Sequence, residues 1–129
     1  IMEKAVGDIV DKAYTVFATQ NITLAEEIEP LEEVIDELSR ELKRRHVNRL
    51  RAGECTIEMG FILSDITTSL ERIADHCSNI GVCVTQVRED LYDTHSHLDG
   101  VKNAPGNLFR KELETAREAY VLPAVVNKG

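Results

Sequence analysis

Nine apolar or small positions, Met59, Leu63, Ile66, Leu70, Ile73, Cys77, Ile80, Val84 and Val87, follow one another at spacings of 4,3,4,3,4,3,4,3 without a break. Only an α-helix returns every third or fourth residue to one face, so the pattern predicts a helix over about residues 55–92, roughly 50 Å long. Two further seams have the same period. Leu24, Ile28, Leu31, Ile35, Leu38 and Leu42 predict a helix over 23–51, and Met2, Val6, Ile9, Ala13 and Val16 predict one over 1–20 that Gln20-Asn21 ends. Thr23 with Glu26 reads as a capping box. Pro30 either kinks the second helix or marks where its regular part begins, and Ala52-Gly53 closes it. Residues 93–107 break the period and read as a loop, and a short helix over about 108–120 precedes Pro123. The expected fold is all-α, a single domain over 1–129: an antiparallel three-helix bundle with a short additional C-terminal helix.

Charge and composition narrow the function. The chain has 23 acids against 15 Lys and Arg, a net charge of -8, and no Trp. That balance opposes nucleic-acid binding and suits cation binding or solubility. Three cysteines without a C-x-x-C spacing indicate neither a disulfide framework nor a zinc knuckle, and fit a reducing compartment. No apolar run reaches the ~18 residues of a membrane span and no signal-peptide pattern opens the chain. It starts inside an amphipathic pattern at Ile1-Met2, as would a piece of something longer with a membrane part upstream.

Glu32 and Asp36 stand as far before residues 53–54 as Asp75 and Glu71 stand after them. A hairpin pivoting at Gly53 therefore brings two i,i+4 carboxylate pairs to one height. At about 100° per residue, Glu32 and Asp36 lie roughly 80 to 120° from the seam of their helix, and Glu71 and Asp75 about 140 to 180° from theirs in the same sense. All four then converge on the outer groove between the two helices, open to solvent. Two such charges about 5 Å apart repel by roughly 1 to 3 kcal/mol, which a cation would offset. The plainer reading is a solvated acidic face, with Arg40 and Arg72 as local counter-charges. A buried di-iron enzyme is excluded, because Lys43, Ile73, Tyr92 and Thr94 stand three residues before the four histidines where Glu-x-x-His would be needed.

Other polar residues have bland readings beside sharper ones. His46 continues the second seam and Arg49 falls near it. They read as a polar plug at the bundle end, with His46 near Glu58, or as a secondary metal or phosphate site with His76. Arg44, Arg45, Arg49 and Arg51 complement the dipole of their helix end, or could face anionic lipid or a transporter loop. His76 reads as a partner contact or bundle-edge residue. Asp93, His95, His97 and Asp99 could take up zinc but suit a loop equally. Cys77 reads as a small core residue, and Thr67, Ala74 and Ser78 would allow close approach of the preceding helix.

The stretch Leu70-Glu71-Arg72-Ile73-Ala74-Asp75-His76-Cys77-Ser78-Asn79-Ile80 resembles the Leu-Glu-Arg-Ile-Gly/Ala-Asp-His-x-x-Asn-Ile signature of the PhoU family, and Glu32-Glu33-Val34-Ile35-Asp36 matches its companion motif. The segment from Arg45 to Cys55 is similar to PhoU-like domains at the cytoplasmic end of bacterial sodium/phosphate cotransporters. The resemblance covers about residues 1–92. It implies a non-enzymatic bundle that regulates phosphate uptake at the inner face of the membrane, partnered by a transporter domain of the same or another chain, by a second copy or by phosphate. It also implies iron or zinc held by Glu32, Asp36, Glu71 and Asp75 in some members. Full family members carry two such bundles in tandem and this sequence carries one. A metal-free helical interaction or dimerisation module is the alternative. A hydrolase lacks a nucleophile constellation.

Overall fold

The structure is a computed structural model and describes residues 1–89 and 108–125. Its elements are α1 (Met2–Thr19), α2 (Ile22–Ala25), α3 (Ile28–Arg51), α4 (Ile57–Glu89) and α5 (Leu108–Ala119), with no strand among the described residues. The expected all-α bundle is therefore present. The loop expected over 93–107, with His95 and His97, lies outside the described residues.

One boundary differs from expectation. The segment over 23–51 is not continuous: a single turn, α2, is followed by a break and α3 then starts at Ile28. The cap is Asn21, whose side chain accepts from Leu24 N–H at 3.2 Å, so Thr23 and Glu26 form no capping box. Pro30 stands in the first turn of α3, where its missing N–H costs nothing because that donor has no helical partner. At the other end, Gly53 adopts φ 72, its N–H bonds Leu50 C=O, and Glu54 N–H bonds Arg49 C=O at 2.9 Å. This Schellman closure reverses the chain at the predicted pivot. Thr56 Oγ1 then caps α4 by accepting from Met59 N–H.

α1, α3 and α4 form the core, α1 and α4 running in one direction and α3 in the other. Every predicted seam residue of α1 is buried, as are Ile28, Leu31, Ile35 and Leu38 of α3. The α4 seam departs from expectation. Cys77 and Val84 are buried, but Met59, Ile66, Ile73, Ile80 and Val87 are exposed. The face that packs inward instead carries Gly60, Thr67, Ala74 and Gly81, one small residue every seven. The largest side chains are absent from the contact because backbones approach too closely there. A Cβ on Gly60 would collide with the His46 ring, and one on Gly81 would lie 3.1 Å from Ile28 Cδ1. Close approach favours small side chains over large ones when helices pack tightly.

α5 packs against α3, and Tyr120 just beyond it reaches α1. Arg117 grips Glu37 of α3, with Nη2 2.6 Å from Oε1, and the Tyr120 hydroxyl donates to Asp8 of α1. Leu113, Ala116, Tyr120 and Leu122 pack against the core, and Arg45 Nη1 donates to Pro123 C=O.

Candidate metal centre

The rotation of α4 moves Glu71 and Asp75 closer to α3 than the seam implied. Glu71 stands only about 40° from the line of small residues that packs inward, so its carboxylate enters the α3/α4 groove instead of pointing to open solvent. Glu32, Asp36 and Glu71 are half-buried there and Asp75 is exposed at the rim. Charges act from one pair on the other: Glu32 is influenced by Asp36 and Asp75, and Asp36 by Glu71 and Asp75. The Gly53 hairpin thus brings the two pairs together at one height.

Glu29, Glu33 and Lys43 were not singled out from the sequence. Glu29 and Glu33 add negative charge to the groove. Ser78 Oγ donates to Glu29 Oε2 at 2.5 Å. Lys43 reaches across from α3 and places its Nζ 3.3 Å from Glu71 Oε2. Lys43 lies one helical turn beyond Ser39, seven residues after Asp36, and this i,i+7 relation was the available signal. Arg40 pairs with Glu33 at 3.4 Å and also moderates Asp36.

These cations do not neutralise the groove. Burial, followed by the charges of Asp36, Glu29, Glu33 and Asp75, pushes the Glu32 carboxyl up to about 7. Burial and then Glu71 raise Asp36 above its ordinary range. Ionised Glu32 is therefore costly in the folded chain, and a bound cation would remove that cost. Carboxylate oxygens suit a hard or borderline cation such as iron or zinc, so the donor chemistry fits. As placed, no three His, Cys, Asp or Glu side chains among the described residues converge closely enough to hold a metal ion. Ligation therefore requires Glu71 to leave Lys43 and the two pairs to close on one point.

The secondary set, His46, Arg49 and His76, is not brought together. His46 is buried with its ring against Gly60 of α4, and Glu58, expected beside it, is exposed. Arg49 is exposed near the end of α3. His76 stands sixteen residues beyond Gly60 on α4, about 24 Å along the helix, and lines the opposite groove with Phe17 and Cys83. Arg44 and Arg45 do more than complement the dipole. Both grip Glu41 at 2.7 Å and hold its carboxyl down at about 2. Cys77 is a core residue, as expected, and its burial pushes the thiol up.

The fold is an all-α bundle whose α3/α4 groove carries Glu32, Asp36, Glu71 and Asp75. The model of the PhoU domain matches residues 1–84, and the chain belongs to the PhoU family. It is similar to the phosphate-specific transport system accessory protein PhoU homolog 1 of Thermotoga maritima, 31% identical over 72 residues, covering 56% of this chain and 31% of that protein. It is also similar to the phosphate-specific transport system accessory protein PhoU homolog of Aquifex aeolicus, 33% identical over 84 residues, covering 61% of this chain and 37% of that protein. The chain spans about a third of the length of these curated relatives. No solved structure matches it. No helix among the described residues is long and apolar enough to cross a membrane.

Proposed function

We propose that this chain is a regulatory domain of phosphate uptake, acting at the cytoplasmic face of a sodium/phosphate cotransporter through a cation held by Glu32, Asp36, Glu71 and Asp75. The observation that carries the reading is the under-neutralised α3/α4 groove, in which Glu32 is pushed up to about 7. Family membership and the names of the two relatives support phosphate transport as the setting. The Arg45 to Cys55 segment supports the cotransporter.

The role proposed is control of charge and involves no catalysis. Without a cation the groove repels phosphate and any acidic transporter loop. Glu32, Asp36, Glu71 and Asp75 would hold a bound iron or zinc, which would compete with Lys43 for Glu71, lessen the groove's negative charge and offer a positive centre to phosphate or a transporter carboxylate. Metal analysis of protein purified without chelator should find iron or zinc in the wild type and lose it in Glu71→Ala/Asp75→Ala. Equal content in both would remove the site. Labelled phosphate uptake by cells carrying the same double substitution should differ from wild type, and an unchanged rate would remove the regulatory role.

A further inference from the structure

Among the described residues the buried core cluster runs from Met2 to Val84, the same stretch that the PhoU model matches, and α5 lies beyond it. α5 sits instead on a flank of α3 beside that core. Val34 stands about 80° from the α3 seam and is nevertheless buried, as is Leu38 next to it. Both line a cleft of about 290 Å³ together with Tyr120, Val121 and Leu122. Positions 34, 37, 38 and 41 follow the i, i+3, i+4, i+7 order of a face that receives a helix. Its edge is acidic: Glu41 is already held by Arg44 and Arg45, which leaves Glu37 and, on α1, Asp8 as the carboxylates that α5 engages.

α5 is attached as a ligand is attached. None of its residues is buried, and Leu113 and Ala116 pack only partly against the core. Its specific contacts are polar clasps at the rim. Arg117 engages both oxygens of Glu37, Nε at 3.0 Å and Nη2 at 2.6 Å, and holds that carboxyl below its ordinary range. The Tyr120 hydroxyl donates to Asp8, and Arg45 donates to the Pro123 carbonyl. Exposed clasps of this kind select a partner and fix its register more than they stabilise it. The cleft left beside Leu122 means that α5 fills the groove incompletely, whereas integral helices pack without such voids. A helix that replaced α5 must lay an apolar ridge over Val34 and Leu38 and bring an arginine to Glu37. The net charge of -8 favours a cationic helix over an acidic one.

We propose that the Val34/Leu38 face of α3 is a docking groove for a partner's amphipathic helix bearing an arginine beside its apolar ridge, and that α5 is the chain's own competitor for it. The groove lies on the flank of α3 opposite Glu32 and Asp36, so the proposal stands apart from the cation reading. The probe is a fluorescent peptide of residues 108–125, titrated into the full chain and followed by anisotropy. Arg117→Ala/Tyr120→Ala in the chain, which opens the clasps of the tethered α5, should bind the wild-type peptide at least about tenfold more tightly than the wild-type chain does. Adding Glu37→Gln to that variant, or placing Arg117→Ala in the peptide, should each undo most of the gain. Hydrogen exchange of the double variant should quicken at the α5 amides and stay unchanged in α1, α3 and α4. Equal peptide affinity in wild type and double variant, binding to neither, indifference to Glu37→Gln, or loss of protection throughout the core along with α5 would each overturn the proposal.

Discussion

Between α3 and α4 the side chains of Glu29, Glu32, Glu33, Asp36, Glu71 and Asp75 crowd one groove, with Lys43 and Arg40 as partial counter-charges. On the α1 side of α4, Ile66, Ile73, Ile80 and Val87 are exposed and apolar. One helix builds both, and the line of small residues that separates them explains how. Gly60, Thr67, Ala74 and Gly81 occupy the middle of the inward face, so the isoleucines are displaced to one flank and the acids to the other. Tight packing at the centre is what leaves two chemically opposite surfaces for use.

The comparison breaks most completely if the dividing line is thickened. Ala74→Leu places a large side chain where exposure is 0%, and should cost about 2 to 3 kcal/mol by denaturant unfolding while loosening both grooves at once. Gly60→Ala acts at one end only. Its methyl would collide with His46, costing about 1 to 2 kcal/mol, and His46→Ala should remove most of that penalty in a double-mutant cycle.

A finer test separates the acidic flank from the rest. Glu32 holds its proton more tightly folded, at about 7, than at its ordinary 4.5. Its contribution to stability is thus full below about pH 4.5 and is lost as pH rises through 7. Glu32→Gln should therefore raise stability at pH 8 by about 1 kcal/mol, solvent screening of this half-exposed group removing the rest, or roughly 3 to 5 °C in Tm. At pH 4 the two proteins should melt together. The smallest effect belongs to the apolar flank: Ile73→Glu, 41% exposed, should shift stability by less than about 0.5 kcal/mol. A large loss would mean that this face is internal, and the contrast between flanks would fail.

How far the sequence disclosed this arrangement depends on the helix. For α1 and α3 the apolar period alone located the core, because the seams Met2 to Val16 and Ile28 to Leu38 are the faces that turn inward. On α4 most of the seam stays outside. Periodicity finds a helix and its seams, but which one turns inward depends on how closely the neighbours approach, and the small residues every seventh position were the signal for that. The mirrored acid pairs were legible because the Gly53 closure fixes height, and residue spacing measures height directly. Their partners Lys43, Glu29 and Ser78 were not, since those contacts cross between helices and depend on the rotation of α4. Nor was the docking of α5, which rests on Arg117 with Glu37 and Tyr120 with Asp8, residues separated by a long stretch of chain.

The cation groove is tested most directly by calorimetric titration of zinc into the chain at pH 7 in two buffers of different ionisation enthalpy. With Glu32 close to half protonated there, binding should release about half a proton per ion, so the heats should differ between buffers. That difference should shrink in Glu32→Gln, and binding itself should vanish in Glu71→Ala/Asp75→Ala. Wild type and the double variant giving the same heats in both buffers would contradict the account.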